Sequence, residues 1–210
     1  FDQLKINSLA AQMSRGKLEK STSIAFSSIG NSLAKLSMDI CLYMGQDFNF
    51  ISFPENLTTG SSIMPHKKNP DLFELVRGKC NNLQTLPNQL TLLTSNLPSG
   101  YHRDLQLAKG PIIEAAQELK ACMDILLFSL PQLEVTQDIT AQKKYDYLFS
   151  VDTLNTEVIA GKPFRDAYRE LGRAIEKGDF LPNRNLNHTH LGSIGNLGLE
   201  RIRQKMKLII

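Results

Sequence analysis

The sequence predicts an all-α fold: long antiparallel helices of a central helical bundle, then a small C-terminal helical domain. Three observations carry this. Apolar residues recur at steps of three and four over three long stretches. No stretch sustains the alternation of a half-buried strand. Beyond Pro131 the helical patterns shorten, and polar, turn-rich sequence separates them.

Residues 1–16 are mixed and carry no clear period. From about Lys17, Thr22, Phe26, Ile29, Leu33, Leu36, Ile40 and Tyr43 step by four and three, one helical stripe close to a heptad. The helix is expected to reach about Met44, with Gly45 placed to stop it. Ala25, Ser28 and Ser32 flank the stripe, where small residues would allow close helix approach. Residues 46–71 form a loop entered through Phe48, Phe50, Phe53 and Pro54, either anchors for its base or ordinary core plugs. A second helix is expected from about Leu72 to Leu93, striped by Leu72, Val76, Cys80, Leu83, Leu86, Leu90 and Leu93. Asp71 and Glu74 have the spacing of a capping box at its start. Pro87 lacks a backbone donor and should kink it. Residues 94–103 read as a turn. A third helix runs from Asp104 or Pro111 to Pro131, striped by Ile112, Ala116, Leu119, Met123, Leu126 and Leu130.

A domain boundary is expected near residue 133, giving domains 1–133 and 134–210. Shorter helices are expected over 138–149, 151–160 and 163–177, with Gly161 closing one and Pro163 opening the next. Residues 178–193 are polar, and a last helix is expected over about 194–208.

The 210 residues hold 41% hydrophobic and 21% charged side chains, enough to bury a core. A net charge of +3 is too small to argue for nucleic acid. Cys41, Cys80 and Cys122 are odd in number, lack a Cys-x-x-Cys pair and sit in apolar helical patterns. A reducing, cytoplasmic setting is expected rather than a disulfide framework. No run of eighteen apolar residues marks a membrane span. Phe1 stands where a methionine would start a chain, which suggests processing or a piece of something longer.

Residues 58–71 concentrate the chemistry. Gly60 frees the backbone, Ser61 and Ser62 supply hydroxyls, Lys67 and Lys68 supply cations, and Asn69 supplies an amide. Such a loop can hold an anion and present a hydroxyl to it. A serine hydroxyl becomes a base only where cations or backbone N–H groups stabilise its alkoxide. A serine acyl-transfer nucleophile is the rival, but the G-x-S-x-G elbow is absent. His188 and His190 have metal-ligand spacing without a nearby carboxylate or thiol in sequence, so no metal is expected.

The run Gly60-Ser61-Ser62-Ile63-Met64-Pro65-His66-Lys67-Lys68-Asn69-Pro70 resembles the signature loop of the fumarase/aspartase superfamily, G-S-S-x-M-P-x-K-x-N-P, at every fixed position. Two further blocks narrow the likeness. Leu97-Pro98 through Tyr101, Asp104, Gln106 and Lys109 resembles L-P-x-x-Y-x-x-D-x-Q-x-x-K of argininosuccinate lyases. Lys162-Pro163-Phe164-Arg165-Asp166-Ala167-Tyr168 resembles their G-x-P-F-R-x-A-H segment, with Tyr168 where histidine is common. The likeness runs from about residue 20 to the end. It suggests the C-terminal half of such a chain, because two earlier active-site segments, one bearing the general-acid histidine, do not occur.

The resemblance implies reversible elimination of argininosuccinate to arginine and fumarate, with no cofactor. Ser61 would be the general base. Lys67 and Asn69 would hold carboxylates and the growing charge. Glu74 would orient the missing histidine from another subunit. Tyr101, Gln106 and Lys109 would position substrate; Ser62 would be a weaker substrate contact that also shapes the loop, His66 a contact or filler rather than the acid, and Lys68 either a substrate contact or part of the loop's charge. A homo-oligomer, a tetramer in the full-length form, is implied, without nucleic acid or membrane, and the piece alone would be inactive. Adenylosuccinate lyases, which share Met-Pro-His-Lys, and a non-catalytic crystallin-like helical assembly are the alternatives.

Overall fold

A computed structural model describes residues 6–60, 63–64, 67–186 and 188–209. The chain divides into two compact units, Phe1–Gln137 and Asp138–Ile210. The division lies a few residues beyond the expected boundary at 133.

The first unit is a helical bundle. A short helix α1 (Ser8–Met13) precedes α2 (Lys17–Met44), which has the predicted limits. Glu19 accepts a hydrogen bond from the Gly16 N–H at 2.8 Å and fixes the start of α2. Gly45 ends α2 in an extended conformation (φ −60°, ψ 146°). The left-handed glycine cap that the sequence suggested is not used there. Helix α3 (Asp71–Leu83) and α4 (Leu86–Thr94) replace the single kinked helix expected over 72–93. Pro87 cannot donate to the Leu83 carbonyl, so the ladder stops and restarts rather than bends. Helix α5 (Lys109–Ser129) follows a 3₁₀ segment, Arg103–Ala108. Among the described residues no helix is long and apolar enough to cross a membrane.

The bundle packs on a face that the apolar stripe only partly marks. The buried residues of α2 are Ser23, Gly30, Ala34, Ser37 and Ile40. Ile29, Leu36 and Tyr43 are instead exposed, as are the small residues Ala25, Ser28 and Ser32. The close approach therefore comes from a different set of small residues. A Cβ added to Gly30 would lie 3.2 Å from the Cys80 carbonyl oxygen on α3. On α5 the buried face is Ala115, Leu119, Cys122, Leu126 and Ser129: Leu119 and Leu126 are as predicted, whereas Ala115, Cys122 and Ser129 take the places expected for Ala116, Met123 and Leu130. The second-helix stripe holds better: Val76, Cys80, Leu83, Leu86 and Leu90 are all buried, with Phe73 beside them at 0% exposure. Phe53 stacks on Phe73 with ring centroids 4.7 Å apart, so of the three loop phenylalanines it is the deep anchor.

Among the described residues, four two-residue strands, which the sequence did not announce, tie the loops. Strand β1 (Ile51–Ser52) pairs antiparallel with β4 (Glu134–Val135). Strand β2 (Thr59–Gly60) pairs antiparallel with β3 (Lys68–Asn69). The all-α class stands.

In the second unit, residues 138–149 form 3₁₀ turns (Ile139–Ala141, Lys143–Phe149) instead of the expected α-helix. Helices α6 (Ser150–Ile159) and α7 (Phe164–Lys177) match their predicted spans. Gly161 (φ +100°) and Gly178 (φ +76°) end them in conformations that only glycine adopts readily. Helix α8 (Leu199–Lys207) is shorter than expected. The preceding loop closes over His188, whose Nε2 lies 2.6 Å from the Asp152 carboxylate.

Candidate active site

The loop between β1 and α3 is shaped by three local devices. Asn49 takes a left-handed conformation (φ 47°) just after α2 and turns the chain back. Asparagine tolerates that region because its short polar side chain bonds locally. The Asn49 N–H donates to the Gly45 carbonyl at 2.7 Å, and the Phe50 N–H to the Tyr43 carbonyl at 2.9 Å. The β2–β3 ladder then pairs Thr59 with Asn69 and Gly60 with Lys68, which clamps both ends of the signature loop. The Asp71 carboxylate accepts a hydrogen bond from the Thr59 hydroxyl. Asp71 is thus the first residue of α3 and a brace for the loop stem. The expected Asp71–Glu74 capping box is not formed, and the cap position falls to Pro70.

A cleft of about 910 Å³ opens where the end of α2, the turn after it and the start of α3 meet. Lys67, Lys68, Asn69 and Glu74 line it together, with Met64 and Pro70. Three of the predicted site residues, Lys67, Asn69 and Glu74, therefore share one cavity. Lys68 lies 3.7 Å from Glu55, and Glu74 lies 3.9 Å from Arg77. Ser61, Ser62 and His66 lie outside the described residues.

Cys41, Asp47, Asn49 and Ser52 also line the cleft, and sequence reasoning passed over them. Asp47, Asn49 and Ser52 carried a signal in their place, polar residues interleaved with Phe48, Phe50 and Phe53 at the mouth of the loop, whereas Cys41 lies within α2 and carried none. Burial pushes the Cys41 thiol up from its ordinary range, Arg77 pulls it back, and Glu74 pushes it up. That links Cys41, Glu74 and Arg77 electrostatically.

The other predicted residues sit elsewhere. The Gln106 side-chain amide donates to the Tyr101 hydroxyl. The Arg15 guanidinium lies 5.3 Å from the centre of the Tyr101 ring. A Cβ on Gly16 would meet Leu105 at 3.4 Å. Lys109 begins α5 directly after that segment. Tyr101, Gln106 and Lys109 therefore gather at the start of α2, whereas Lys67, Asn69 and Glu74 gather at its end. The 28 residues of α2 span about 42 Å at 1.5 Å per residue. One chain does not bring the two groups into one pocket.

His188 and His190 have ring centroids 5.8 Å apart, and His188 pairs with Asp152. Among the described residues no group of three or more His, Cys, Asp or Glu side chains is arranged to hold a metal ion.

A family profile described as "Lyase" matches residues 4–85. The argininosuccinate lyase of Parabacteroides distasonis is 50% identical over 210 residues, all of this chain and 47% of that protein. The argininosuccinate lyase of Bacteroides thetaiotaomicron is 46% identical over the same 210 residues, again 47% of its length. The chain thus spans about half the length of the curated relatives it matches. Among solved structures, a fumarate lyase:delta crystallin from Brucella melitensis aligns with a TM-score of 0.68 at 20% identity, covering 84% of this chain and 40% of that one. A class II fumarase from Schistosoma mansoni gives 0.61 at 20% identity, covering 83% and 38%. These two show the shared fold. With whole-chain identity near one half, and every fixed position of the signature loop filled, the chain is similar along its whole length to about half of an argininosuccinate lyase.

Proposed function

We propose that this chain is part of an argininosuccinate lyase, which splits argininosuccinate into arginine and fumarate. The observation that carries the reading is 50% identity with an argininosuccinate lyase across all 210 residues. The cleft supports it. A substrate with three carboxylates, an ammonium and a guanidinium suits a cavity walled by both cations and carboxylates, Lys67, Lys68, Asp47 and Glu74, with the amide of Asn69.

In this reading Ser61 removes the proton from the carbon beside a succinyl carboxylate. The electron pair spreads into that carboxylate, and the C–N bond to the guanidino nitrogen then breaks. Lys67 and Asn69 stabilise charge that grows in the transition state, which lowers the barrier more than it tightens substrate binding. Lys67 also favours the alkoxide form of Ser61. Ser62 contributes a hydroxyl to the bound carboxylate. Glu74 orients a histidine supplied by a segment outside these residues, and that histidine is the general acid.

Tyr101, Gln106 and Lys109 position substrate in a neighbouring chain's cleft. The roughly 42 Å between the two groups, at 1.5 Å per residue of α2, supports a site built from more than one chain. So do the exposed apolar side chains of α2, Leu18, Ile24, Ile29 and Leu36, which a partner helix would cover. The assembly is a homotetramer, and its setting is the cytoplasm, where the free thiols Cys41, Cys80 and Cys122 remain reduced.

The test is fumarate release from argininosuccinate by the full-length lyase carrying this sequence. Replacing Ser61 by Ala is expected to lower kcat by about 10³-fold, the scale of general base catalysis. Unchanged turnover would remove Ser61 from its role. Turnover of adenylosuccinate in place of argininosuccinate would reassign the substrate. The isolated 210-residue chain is expected to release no fumarate.

A further inference from the structure

Arg77 stands one helical turn beyond Glu74 on α3, so both side chains lie on the same side of the helix. Its guanidinium reaches Glu74 at 3.9 Å through Nη2. Its other terminal nitrogen, Nη1, donates to the Met38 sulfur on α2 at 3.0 Å. An ordinary i, i+3 pair on a free surface holds nothing in place, since both side chains wave in solvent. This pair differs because one partner is tied to a second helix. The Arg77 side chain is 30% exposed and bridges α2 and α3, whereas the Glu74 side chain is 50% exposed and lines the cleft. Cys41, one turn beyond Met38, lines the same cleft and feels both charges. Two contacts, one from each helix, thus hold the guanidinium: the Met38 sulfur on α2 and the Glu74 carboxylate on α3.

We propose that Arg77 is a positioning residue for Glu74. It holds the Glu74 carboxylate aimed into the cleft, with Met38 as the anchor that keeps Arg77 from swinging into solvent. Arg77 itself does not touch the substrate. The inference rests on the role given to Glu74 above, and the test separates the two.

Four variants of the full-length lyase are compared in argininosuccinate turnover: Arg77→Gln, Arg77→Lys, Glu74→Gln and the Arg77→Gln/Glu74→Gln double variant. Arg77→Gln is expected to lower kcat by about 10- to 100-fold, the usual cost of losing a group that orients a functional side chain, with KM within about twofold. Arg77→Lys, which keeps the charge, is expected to recover most of the loss. The double variant should be no slower than Glu74→Gln alone, because Arg77 acts only through that carboxylate. Losses that multiply in the double variant would overturn the proposal, as would a rise in KM at constant kcat. Normal turnover by Glu74→Gln would instead overturn the role of Glu74 on which the proposal stands. Met38→Leu keeps the volume and removes the sulfur, so it addresses the case in which Arg77→Gln fails to fold. It is expected to lower kcat several-fold, and wild-type kcat in a folded Met38→Leu protein would overturn the anchor.

Discussion

Gly30 is a point of close α2–α3 approach, and replacing it tests how the bundle is held. A methyl at this position would sit 3.2 Å from the Cys80 carbonyl oxygen and 3.5 Å from the Leu83 Cβ. The carbonyl belongs to a helix backbone and cannot rotate away. Gly30→Ala gains about 1 kcal/mol of helix propensity. It loses a similar amount as α2 and α3 part by a few tenths of an ångström, so the net effect is small. Gly30→Val adds two more methyl groups to a space that has none. Overpacking of this kind costs about 1–3 kcal/mol, and a value near 2 kcal/mol is expected here. The reporters are Cys80 and Cys122, at 0% and 1% exposure, which lie in the same core and react with a thiol reagent only when the helices open. An opening equilibrium shifted by about 2 kcal/mol raises their labelling rate by about 30-fold. Cys41, which is partly exposed, labels in an earlier phase and serves as the internal control. A Gly30→Val chain whose slow thiols label within twofold of wild type would refute the close-packing argument.

Four other outcomes follow from the same structure. Burial pushes the Cys80 thiol up to about 12 from an ordinary 9.0, so the folded state favours the neutral thiol. Stability from this group is complete below pH 9 and falls between pH 9 and about 12, by up to about 1.4 kcal/mol per pH unit. Urea midpoints at pH 8 and pH 10 should therefore diverge less in Cys80→Ala than in the parent chain. The Ser37 hydroxyl is buried and has no hydrogen-bond partner among the described residues, so Ser37→Ala should stabilise the bundle by about 1 kcal/mol, read as a higher melting temperature. A Cβ on Gly195 would meet the His188 carbonyl oxygen at 2.2 Å, so Gly195→Ala must displace the loop. Hydrogen exchange at the Gly192 amide, which donates to the Asn196 carbonyl at 2.7 Å, should quicken at least about tenfold. In the full-length lyase, Lys67→Met should lower kcat by about 10²- to 10³-fold, and a loss confined to KM would move Lys67 from charge stabilisation to simple binding.

The sequence was most legible where one physical cause dominates. Helix α2 was readable from end to end because its period is long and Gly45 follows it. Pro87 was read correctly as a disruption, but whether a missing donor bends or breaks a helix depends on what the flanking turns pack against. The buried faces of α2 and α5 were misjudged because a stripe of large apolar residues looks like a core. Gly30, Ala34 and Ser37 carry little hydrophobic signal, yet they allow the closest approach. Residues 138–149 showed a helical composition and formed 3₁₀ turns, a difference that local pattern does not encode. For the candidate site, the loop motif grouped Lys67, Asn69 and Glu74, and the cleft has all three in its wall. The separation of Tyr101, Gln106 and Lys109 from them was illegible, because adjacency in a family motif list says nothing about which end of a helix each block reaches. Arg77 was missed because an i, i+3 charge pair is common on helix surfaces; only Met38, from another helix, sets it apart.

The two ends of α2 give that helix a further property. Under the two-chain site proposed above, α2 is a ruler. Its length sets the offset between the cationic loop at one end and the Tyr101 segment at the other, and a neighbouring chain must match that offset. Removing seven residues would shorten the ruler by about 10 Å at 1.5 Å per residue, while leaving the heptad phase and the chemistry at both ends untouched. The length of this helix is therefore as much a part of the site as the residues at either end of it.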